Sequence, residues 1–280
     1  MSVELEIPDG SPNWWLSPNI WTVPGSDPGG APGLPVTGEQ CFLYARVTNN
    51  GSDAVQNATV RFYWADPSVG FDRTTANHVG DANVSLNASE TQDVLCLVPW
   101  VPTFVNGGHE CILAEAFHPA YDPLPASPVF NVPTDRHVAQ RNLSVLLVAK
   151  NQKMFSLSFQ VCNTQRIGRT FHVSTRIGSP KELKQLLPHL GRSFRASEKG
   201  GIEHLGFVTK PCPDESDRKR AKPVIERLEV KPNMCTGLSV VGELNGEAAL
   251  VHVIQTAEGK EVGGLSILVV RDTNATKGED

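Results

Sequence analysis

Two short runs of alternating apolar and polar residues lie close together in the first quarter of the chain. A period of two is the signature of a β-strand, because successive side chains point to opposite faces of a sheet. The apolar faces of the two runs are Cys41, Leu43, Ala45 and Val47, and Ala58, Val60, Phe62 and Trp64. The intervening Asn49-Asn50-Gly51 can tolerate a positive φ, so the pattern predicts a hairpin or a short Greek-key step.

Further strand-like runs follow in the first half, at 82–86, 94–98 and 110–117. The alternation in the last run predicts an inward face and an opposite face. The inward face is Ile112, Ala114 and Ala116, and the opposite face is Cys111, Leu113 and Glu115. Residues 66–81 are rich in side-chain oxygens, but their spacing does not match an EF-hand. We therefore expect a solvated loop there in preference to a calcium site.

Strand-like runs also fill the second half, at 143–149, 155–161, 171–175, 224–230, 237–244, 248–255 and 264–270. Between them, Ser179-Pro180-Lys181-Glu182 predicts the start of a helix, with Ser179 as the N-cap and Glu182 completing a capping box. This helix should span roughly residues 180–190, because Pro188 and Gly191 end its apolar stripe. The pattern predicts an all-β protein of two tandem β-sandwich domains, the second with a short helical insertion.

Charge and proline content change together near residue 140. Residues 1–140 contain four arginines, no lysine and fifteen acidic residues, a formal charge of −11, whereas residues 141–280 carry +6. Fifteen prolines precede that point and six follow it. Two composition changes at one place indicate a domain boundary. The predicted order is a Trp/Pro/Gly-rich lead over 1–37, an acidic first sandwich over 38–134, a linker over 135–142, a second sandwich over 143–271 and a disordered tail over 272–280.

Three segments of the first half resemble one family of bacterial domains. They are Arg46-Val-Thr-Asn-Asn-Gly, Ala58-Thr-Val-Arg-Phe-Tyr-Trp-Ala-Asp-Pro and Gly107-Gly-His-Glu-Cys-Ile-Leu. Together they look like the cell-adhesion-related (CARDB-type) immunoglobulin-like domains, over residues 13–132. The resemblance implies a seven-stranded sandwich that serves as a spacer or binding module and has no catalytic residues. The long 66–81 loop and the Trp-rich lead go beyond the family's minimal pattern. We accordingly expect two tandem immunoglobulin-like β-sandwiches.

Six cysteines stand at positions 41, 96, 111, 162, 212 and 235, and none forms a C-x-x-C pair. This spacing argues against a zinc ribbon or a thioredoxin-type motif. Four of them, Cys41, Cys96, Cys111 and Cys162, lie inside apolar runs, so we expect these to be buried free thiols. The alternative is a disulfide between Cys41 and Cys111, because Cys41, Trp64 and Cys111 occur in the order of an immunoglobulin core. Where that core has a tyrosine two residues before its second cysteine, this chain has His109.

The lead segment contains three tryptophans within eight residues, Trp14, Trp15 and Trp21. Such large apolar side chains are not expected to extend freely into water. One interpretation is that they cover an open end or edge of the first sandwich. The other is that they form an aromatic platform that binds sugar rings or a partner protein.

The usual catalytic motifs are missing from the sequence. It has no G-x-S-x-G, no H-E-x-x-H, no P-loop and no G-x-G-x-x-G that opens a helix. His109 and His118 bracket one strand and could meet a metal, but scattered histidines are more often packing or surface residues. The basic run Arg218-Lys219-Arg220-Ala-Lys222 has acidic neighbours and no stacking aromatics, which argues against nucleic acid. We expect no enzyme activity, no cofactor and no bound metal.

The leading hypothesis is a structural or interaction module of bacterial type that mediates protein–protein association or self-assembly. The opposite charges of the two halves would favour contact between copies. One alternative is a carbohydrate-binding accessory protein that uses Trp14, Trp15 and Trp21. Another is a component of a hydrolase or peptidase system with an unrecognised site. No membrane span or signal peptide is visible, so the cytoplasm is the default compartment, with export by a non-classical route left open.

Overall fold

A computed structural model describes residues 2–66, 71–103, 110–191, 201–209 and 214–272. Sixteen strands and two short α-helices lie within these residues, which confirms the predicted all-β class. The chain divides into two compact units. The first is Met1–Asn142 together with Pro188–Arg192, and the second is Leu143–Leu187 together with Ser193–Asp280. Apart from Asp272, the tail expected to be disordered lies outside the described residues.

The first unit is a sandwich of two antiparallel sheets. Its strands are β1 (Leu5–Glu6), β2 (Ile20–Pro24), β3 (Cys41–Asn49), β4 (Val55–Ala65), β5 (Asn77–Leu86), β6 (Thr91–Trp100), β7 (Cys111–Phe117) and β8 (Val138–Arg141). In one sheet, β3 pairs with β6 along one edge and with both β1 and β2 along the other. The second sheet has the order β5–β4–β7–β8.

The core of the first unit lies between these two sheets and consists of the faces that the alternation predicts. The face of β3 that begins at Cys41 is buried along its whole length. From the opposing sheet, Phe62 has none of its surface exposed, and Trp64 packs against the core as a partly buried residue. The predicted inward face of β7 is confirmed, because its members, Ile112, Ala114 and Ala116, all belong to this core. Each fully buried valine or phenylalanine contributes roughly 1.5–3 kcal/mol.

The connection from β3 to β4 is not a hairpin, which was one of the two alternatives that the Asn-Asn-Gly sequence predicts. The two strands belong to different sheets, so the chain crosses from one layer of the sandwich to the other. Gly51 is required here for space, since a Cβ at this position would lie 2.2 Å from the carbonyl oxygen of Ser2.

Asn49 holds this connection together from the inside. Its buried side-chain oxygen accepts hydrogen bonds from the backbone N–H groups of Glu4, at 3.2 Å, and Gly51, at 3.1 Å. Its Nδ2 donates to the backbone carbonyls of Asp53, at 2.8 Å, and Asn87, at 3.1 Å. An asparagine amide has two donor hydrogens and two acceptor sites, and all are occupied. One side chain thereby joins the segment before β1, the β3–β4 connection and the β5–β6 turn.

Residues 135–142, expected to be a linker, are part of the first sandwich. Val138–Arg141 form β8, which pairs with β7, and all four of its residues are buried. The stretch has the polar composition of a linker, but several of its polar side chains form hydrogen bonds inside the unit. Arg141 Nη1, for example, donates to the carbonyl of Ile20 at 2.6 Å. Only Asn142 separates β8 from the first strand of the second unit.

The second unit is also a sandwich of two sheets. Its elements are β9 (Leu143–Val148), β10 (Met154–Asn163), β11 (Arg169–Ile177), α1 (Pro180–Leu186), β12 (Ile202–Val208), α2 (Glu215–Lys219), β13 (Val224–Val230), β14 (Met234–Leu244), β15 (Ala248–Ala257) and β16 (Lys260–Arg271). One sheet has the order β10–β14–β12, and the other has the order β13–β11–β15–β16–β9, in which β9 runs parallel to β16. Helix α1 is the predicted insertion, and Ser179 and Glu182 make both hydrogen bonds of its capping box.

Two elements of the second unit depart from the sequence pattern. Helix α2, which the sequence pattern does not predict, includes the start of the basic run, and Asp214 caps it by accepting from the backbone N–H groups of Ser216 and Asp217. Strand β12 does not show the period-two alternation along its whole length, because a bulge between Glu203 and Gly206 shifts its register.

The two units share one strand plan. β10 pairs with β14, and β11 with β13 and β15, as β3 pairs with β6, and β4 with β5 and β7. Asn163 ends β10 as Asn49 ends β3, and its oxygen accepts from the N–H two residues on, at Gln165, at 3.0 Å. Its Nδ2 donates to the carbonyls of Ile167, at 2.7 Å, and Val230, at 3.1 Å. The same amide thus fixes the same connection in both sandwiches.

Candidate functional site

A second buried layer covers the outer face of the sheet that contains β4 and β7. We call it the outer cluster, and its buried members are Tyr63, Ala65, Cys111, Leu113, Phe130, Val132 and Val138. Phe71 and Ala76, from the segment expected to be a solvated loop, pack against it. The opposite face of β7 is therefore buried as well, which is why all seven residues of this strand are inaccessible.

Glu115 is the charged centre of the outer face of this sheet. Its side chain has no exposed surface, and its two oxygens accept from the Tyr63 hydroxyl at 2.8 Å and from Arg73 Nε at 2.6 Å. The guanidinium of Arg73 also lies over the Phe130 ring, 5.0 Å from its centroid. Burial, and then the charge of Glu115, raises the pKa of Tyr63, so the phenol remains a donor. A buried carboxylate requires such partners, because an unpaired charge in the interior is strongly destabilising.

His137 lies between two carboxylates on the same side of the first unit. Its Nδ1 is 2.7 Å from Asp135 Oδ1, and its Nε2 is 3.1 Å from Asp122 Oδ1. All three side chains are less than a tenth exposed. Burial alone lowers the pKa of His137, but the hydrogen bond to Asp135 and the ion pair with Asp122 outweigh it and leave that pKa raised. Burial acts to raise the pKa of Asp135, but the hydrogen bonds from His137 outweigh it and leave that pKa lowered.

A cavity of about 620 Å³ opens beside these residues, and its lining includes Phe130, Asp135, Arg136 and His137. The charged groups at its wall are bonded to one another. Asp135 accepts from His137, and Arg136 Nη2 donates to Asp122 at 2.5 Å. These contacts engage Asp122, Asp135 and Arg136 within the protein, where they support the fold.

Two of the three tryptophans singled out in the sequence are buried in the first unit. Trp15 is 1% exposed and Trp21 is 5% exposed. Trp14 is partly buried against the outer cluster and meets Trp15 edge to face, with ring centroids 5.6 Å apart. An aromatic platform for a sugar ring needs an open ring face, and the rings of Trp15 and Trp21 are covered by protein.

Trp21 lies in a stack of flat side chains. Its ring is nearly parallel to those of Tyr44 and His189, with centroids 5.3 Å and 4.5 Å away. The Arg46 guanidinium lies 5.7 Å from the Trp21 centroid. Burial, followed by the charges of Arg141 and Arg46, lowers the pKa of His189 to about 4. The imidazole is therefore neutral at neutral pH and packs as an uncharged aromatic ring.

The structure corrects the candidate disulfide between Cys41 and Cys111. Both are buried free thiols on different sheets, and their side chains point to different places, Cys41 into the core and Cys111 into the outer cluster. Burial, and then the charge of Glu110, raises the pKa of Cys41 to about 12. A thiol that stays protonated is a poor nucleophile, so burial makes Cys41 chemically inert.

The expectation of a free thiol at Cys162 is wrong, because Cys162 forms a disulfide with Cys235 in the second unit. These residues face each other on the paired strands β10 and β14. Thr48 and Thr91 occupy the corresponding positions of the first unit. Thr48 precedes Asn49 on β3, Thr91 pairs with it on β6, and their hydroxyl oxygens lie 2.9 Å apart. The disulfide thus takes the place of a threonine pair in the shared strand plan. Cys212 lies outside the described residues.

A Ser–His–Glu arrangement in the second unit has the composition of a catalytic triad. The Nδ1 of His252 is 2.9 Å from the Ser266 hydroxyl, and its Nε2 is 3.7 Å from Glu182 Oε1. Ser266 and His252 have no exposed surface, so a substrate cannot reach the hydroxyl. Burial, and then the charge of Arg176, lowers the pKa of His252 to about 4. The arrangement therefore satisfies a polar group inside the sandwich instead of activating a nucleophile.

Metal binding gains no support from the described part of the chain, where no three His, Cys, Asp or Glu side chains are placed to hold an ion. His118 Nδ1 accepts from the backbone N–H groups of Ala120 and Tyr121, and its expected partner His109 lies outside the described residues. Asp72, in the oxygen-rich segment, accepts from the backbone and hydroxyl of Thr74. None of the helices that the structure describes is long and apolar enough to cross a membrane.

Known proteins offer only remote likenesses. No protein-family model and no curated protein matches the sequence. Among solved structures, a CARDB domain from Pyrococcus furiosus, in complex with di-metal ions, is 17% identical over 50% of this chain and 90% of that one, with a TM-score of 0.29. Collagen adhesin from S. aureus is 8% identical over 90% of this chain and 91% of its own, at 0.25. Red sea bream transglutaminase is 9% identical over 90% of this chain but 31% of its own, at 0.24.

These likenesses include the CARDB class that the sequence motifs indicate and also an enzyme, and all of them are too distant to assign a function. The two-sandwich fold rests on the strands and sheets themselves.

The sequence pattern did not single out the charged residues of the outer face. Glu115 alone falls in a predicted strand, on the face expected to point away from the core, whereas Arg73 and His137 come from an expected loop and an expected linker. One available signal is a charged residue inside the otherwise apolar run 111–117, because such a residue requires a buried partner.

Proposed function

We propose that this chain is a non-enzymatic interaction module of bacterial type that associates with other proteins, in the first place with further copies of itself. The observation that carries the proposal is the division of charge, −11 over residues 1–140 against +6 over residues 141–280. Surfaces of opposite sign attract, set the orientation of the encounter and raise the rate of association.

The charges that carry this division are accessible. On the basic half, Arg220, Lys222 and Lys231 are exposed, and on the acidic half Asp27 and Glu39 are exposed. Apolar surface accompanies the charge on the first unit, where Leu97 is 72% exposed beside Val98 and Val101. Exposed apolar residues grouped in this way are typical of surfaces that contact other proteins.

Association of this kind joins the acidic half of one copy to the basic half of the next. Such a contact is heterologous, so it leaves a free acidic face at one end and a free basic face at the other, and it propagates into rings or filaments. The proposed activity is therefore assembly, and the size of the particle is its direct measure.

A salt series tests the proposal. Light scattering from about 0.02 M to about 1 M salt spans Debye lengths from more than 20 Å to about 3 Å, so it removes charge attraction step by step. We expect a mass above that of the monomer at low salt that falls as salt rises. A monodisperse monomer at the lowest salt would contradict the proposal.

Two charge-reversal variants, one in each half of the chain, test which charged surfaces associate. The variant Arg220→Glu/Lys222→Glu makes the basic half less positive, and Asp27→Lys/Glu39→Lys makes the acidic half less negative. Each variant alone should associate less than the parent chain. Their mixture should recover association, because the basic half of the second variant meets the acidic half of the first. Equal association of all samples would show that charge does not drive assembly.

A further inference from the structure

The first strand is attached to its sandwich by a short ladder and by hydrogen bonds from the residues around it. β1 contributes a two-residue ladder to β3, pairing Leu5 with Asn49 and Glu6 with Thr48. The side chains of Leu5 and Ile7 are nevertheless almost completely buried in the core. Of the further hydrogen bonds that hold the segment, two reach the part of the unit around His137. Leu5 N–H donates to Asp122 Oδ2 at 2.6 Å, and Ile7 N–H donates to the backbone carbonyl of Arg136 at 3.1 Å.

The carboxylate that accepts from Leu5 also lies beside His137. Asp122 uses one oxygen for the Leu5 N–H and presents the other to His137 Nε2, at 3.1 Å. The other ring nitrogen, Nδ1, faces Asp135 Oδ1 at 2.7 Å. A neutral imidazole has one N–H and one bare nitrogen, and a bare nitrogen repels a carboxylate oxygen. Nδ1 makes a hydrogen bond to Asp135, whereas the contact of Nε2 with Asp122 is an ion pair without hydrogen-bond geometry. Because both nitrogens lie close to a carboxylate oxygen, the arrangement is most favourable when each carries a proton.

The other charged groups around the imidazole belong to the same network. Arg136 Nη2 donates to the Asp122 oxygen that faces His137. Arg73 Nη2 lies 3.9 Å from Asp135 Oδ2 while its Nε binds Glu115. These two arginines satisfy part of the negative charge of the three carboxylates, and the imidazolium supplies the remaining positive charge.

We propose that doubly protonated His137 is a pH-dependent clasp that keeps β1 docked on the first sandwich by holding the Asp122 carboxylate against the Leu5 amide. Loss of one proton places a bare ring nitrogen against a carboxylate. Asp122 or Asp135 must then turn away, and a turn of Asp122 releases the hydrogen bond to Leu5.

The direction of the effect follows from linkage. Although burial lowers it, the contacts with Asp135 and Asp122 leave the pKa of His137 raised in the folded unit, so a released state that has lost the Asp122 contact binds the proton less tightly. The free energy that protonated His137 contributes to the docking of β1 is complete below the pKa of His137 in the released state. It is lost as the pH rises through the pKa of His137 in the docked state. The docking equilibrium should change by about tenfold for each unit by which docking raises this pKa.

Amide hydrogen exchange at Leu5 and Ile7 measures docking directly. Protection factors, corrected for the pH dependence of chemical exchange, should fall between about pH 5 and about pH 8, while those of the core strand residue Val60 should stay constant. NMR titration of His137 in the same sample should show its transition over the same pH range. Protection at Leu5 that is constant, or that increases with pH, would overturn the proposal.

Matched variants separate the clasp from general pH effects. His137→Gln is neutral throughout this range, so it should show low, pH-independent protection at Leu5. Asp122→Asn keeps an oxygen for the Leu5 N–H but removes the charge, so it should flatten the pH dependence even if His137→Gln fails to fold. His172→Gln removes a histidine near a carboxylate of the second unit, Glu226, and should behave like the parent chain. A pH response preserved in Asp122→Asn would count against the clasp.

Discussion

The Arg73 guanidinium donates a 2.6 Å hydrogen bond to Glu115, although the two residues are 42 positions apart and Glu115 has no exposed surface. Arg73 comes from the segment between β4 and β5, and Glu115 lies in the middle of β7. This ion pair fixes the covering segment to the outer face of the sheet. It also lets a charged residue occupy a strand that is buried on both faces.

Removal of Arg73 should be strongly destabilising. Arg73→Met keeps most of the apolar stem but leaves Glu115 buried without its cation, and breaking such a pair costs about 3 kcal/mol or more. Urea unfolding followed by tryptophan fluorescence reports on the first unit alone, because all five tryptophans precede residue 101. We expect a midpoint well below that of the parent chain.

An exposed ion pair of the same unit is the control for this prediction. Arg46 and Asp93 form a pair whose side chains are 44% and 42% exposed. Arg46→Met should cost less than about 1 kcal/mol, because solvent screens such pairs. Equal losses for the two variants would show that burial does not set the strength of the Arg73–Glu115 pair.

The two buried asparagines should act separately on the two sandwiches. Asn49→Ala leaves the backbone groups of Glu4, Gly51, Asp53 and Asn87 without their partner, and one unpaired buried group already costs about 1–3 kcal/mol. Tryptophan fluorescence should therefore report an earlier unfolding transition. Asn163→Ala removes the matching side chain of the second unit, so it should shift a circular dichroism transition and leave the fluorescence transition in place. A fluorescence shift of the same size in both variants would contradict this assignment.

The period-two pattern is enough to predict the long strands and their buried faces. It does not predict short strands or side-chain networks whose positions are set by tertiary contacts. The faces of β3, β4 and β7 follow from alternation alone, as does α1 from the Ser179–Glu182 capping box. β1 has two residues and β8 has four, which is too short for a period to be visible. The charged network of the first unit joins Arg73, Glu115 and His137 from three separate segments. Sequence spacing contains no information about such a meeting, and a charged residue within a buried strand was the one local signal.

The disulfide of the second unit should stabilise that unit alone. Cys162→Ser/Cys235→Ser removes a cross-link between residues 73 positions apart, and bridges of this span contribute about 2–4 kcal/mol. The circular dichroism transition of the second unit should move to lower urea, and the fluorescence transition should not. Treatment of the parent chain with a dithiol reductant should reproduce the shift. The buried thiols of Cys41, Cys96 and Cys111 provide the internal comparison, since Cys41→Ala should leave the second unit unchanged.

Acid should destabilise the second unit through His252. Burial lowers the pKa of this residue in the folded state from 6.5 to about 4, so the unfolded state binds the proton more readily. The contribution of His252 is complete above the unfolded-state value and is lost as the pH falls from there towards the folded-state value. The loss is about 1.4 kcal/mol for each pH unit in this window.

Urea unfolding by circular dichroism at a series of pH values measures this slope. Carboxylates titrate at the lower end of the same range. The informative quantity is therefore the difference in the free energy of unfolding between the parent chain and His252→Gln. Glutamine does not titrate, and it can still bond to the Ser266 hydroxyl, so this variant should have a shallower dependence on pH between about 6.5 and about 4. Parallel profiles for the two proteins would show that His252 takes up no proton on unfolding, and the neutral buried imidazole inferred from the structure would then be wrong.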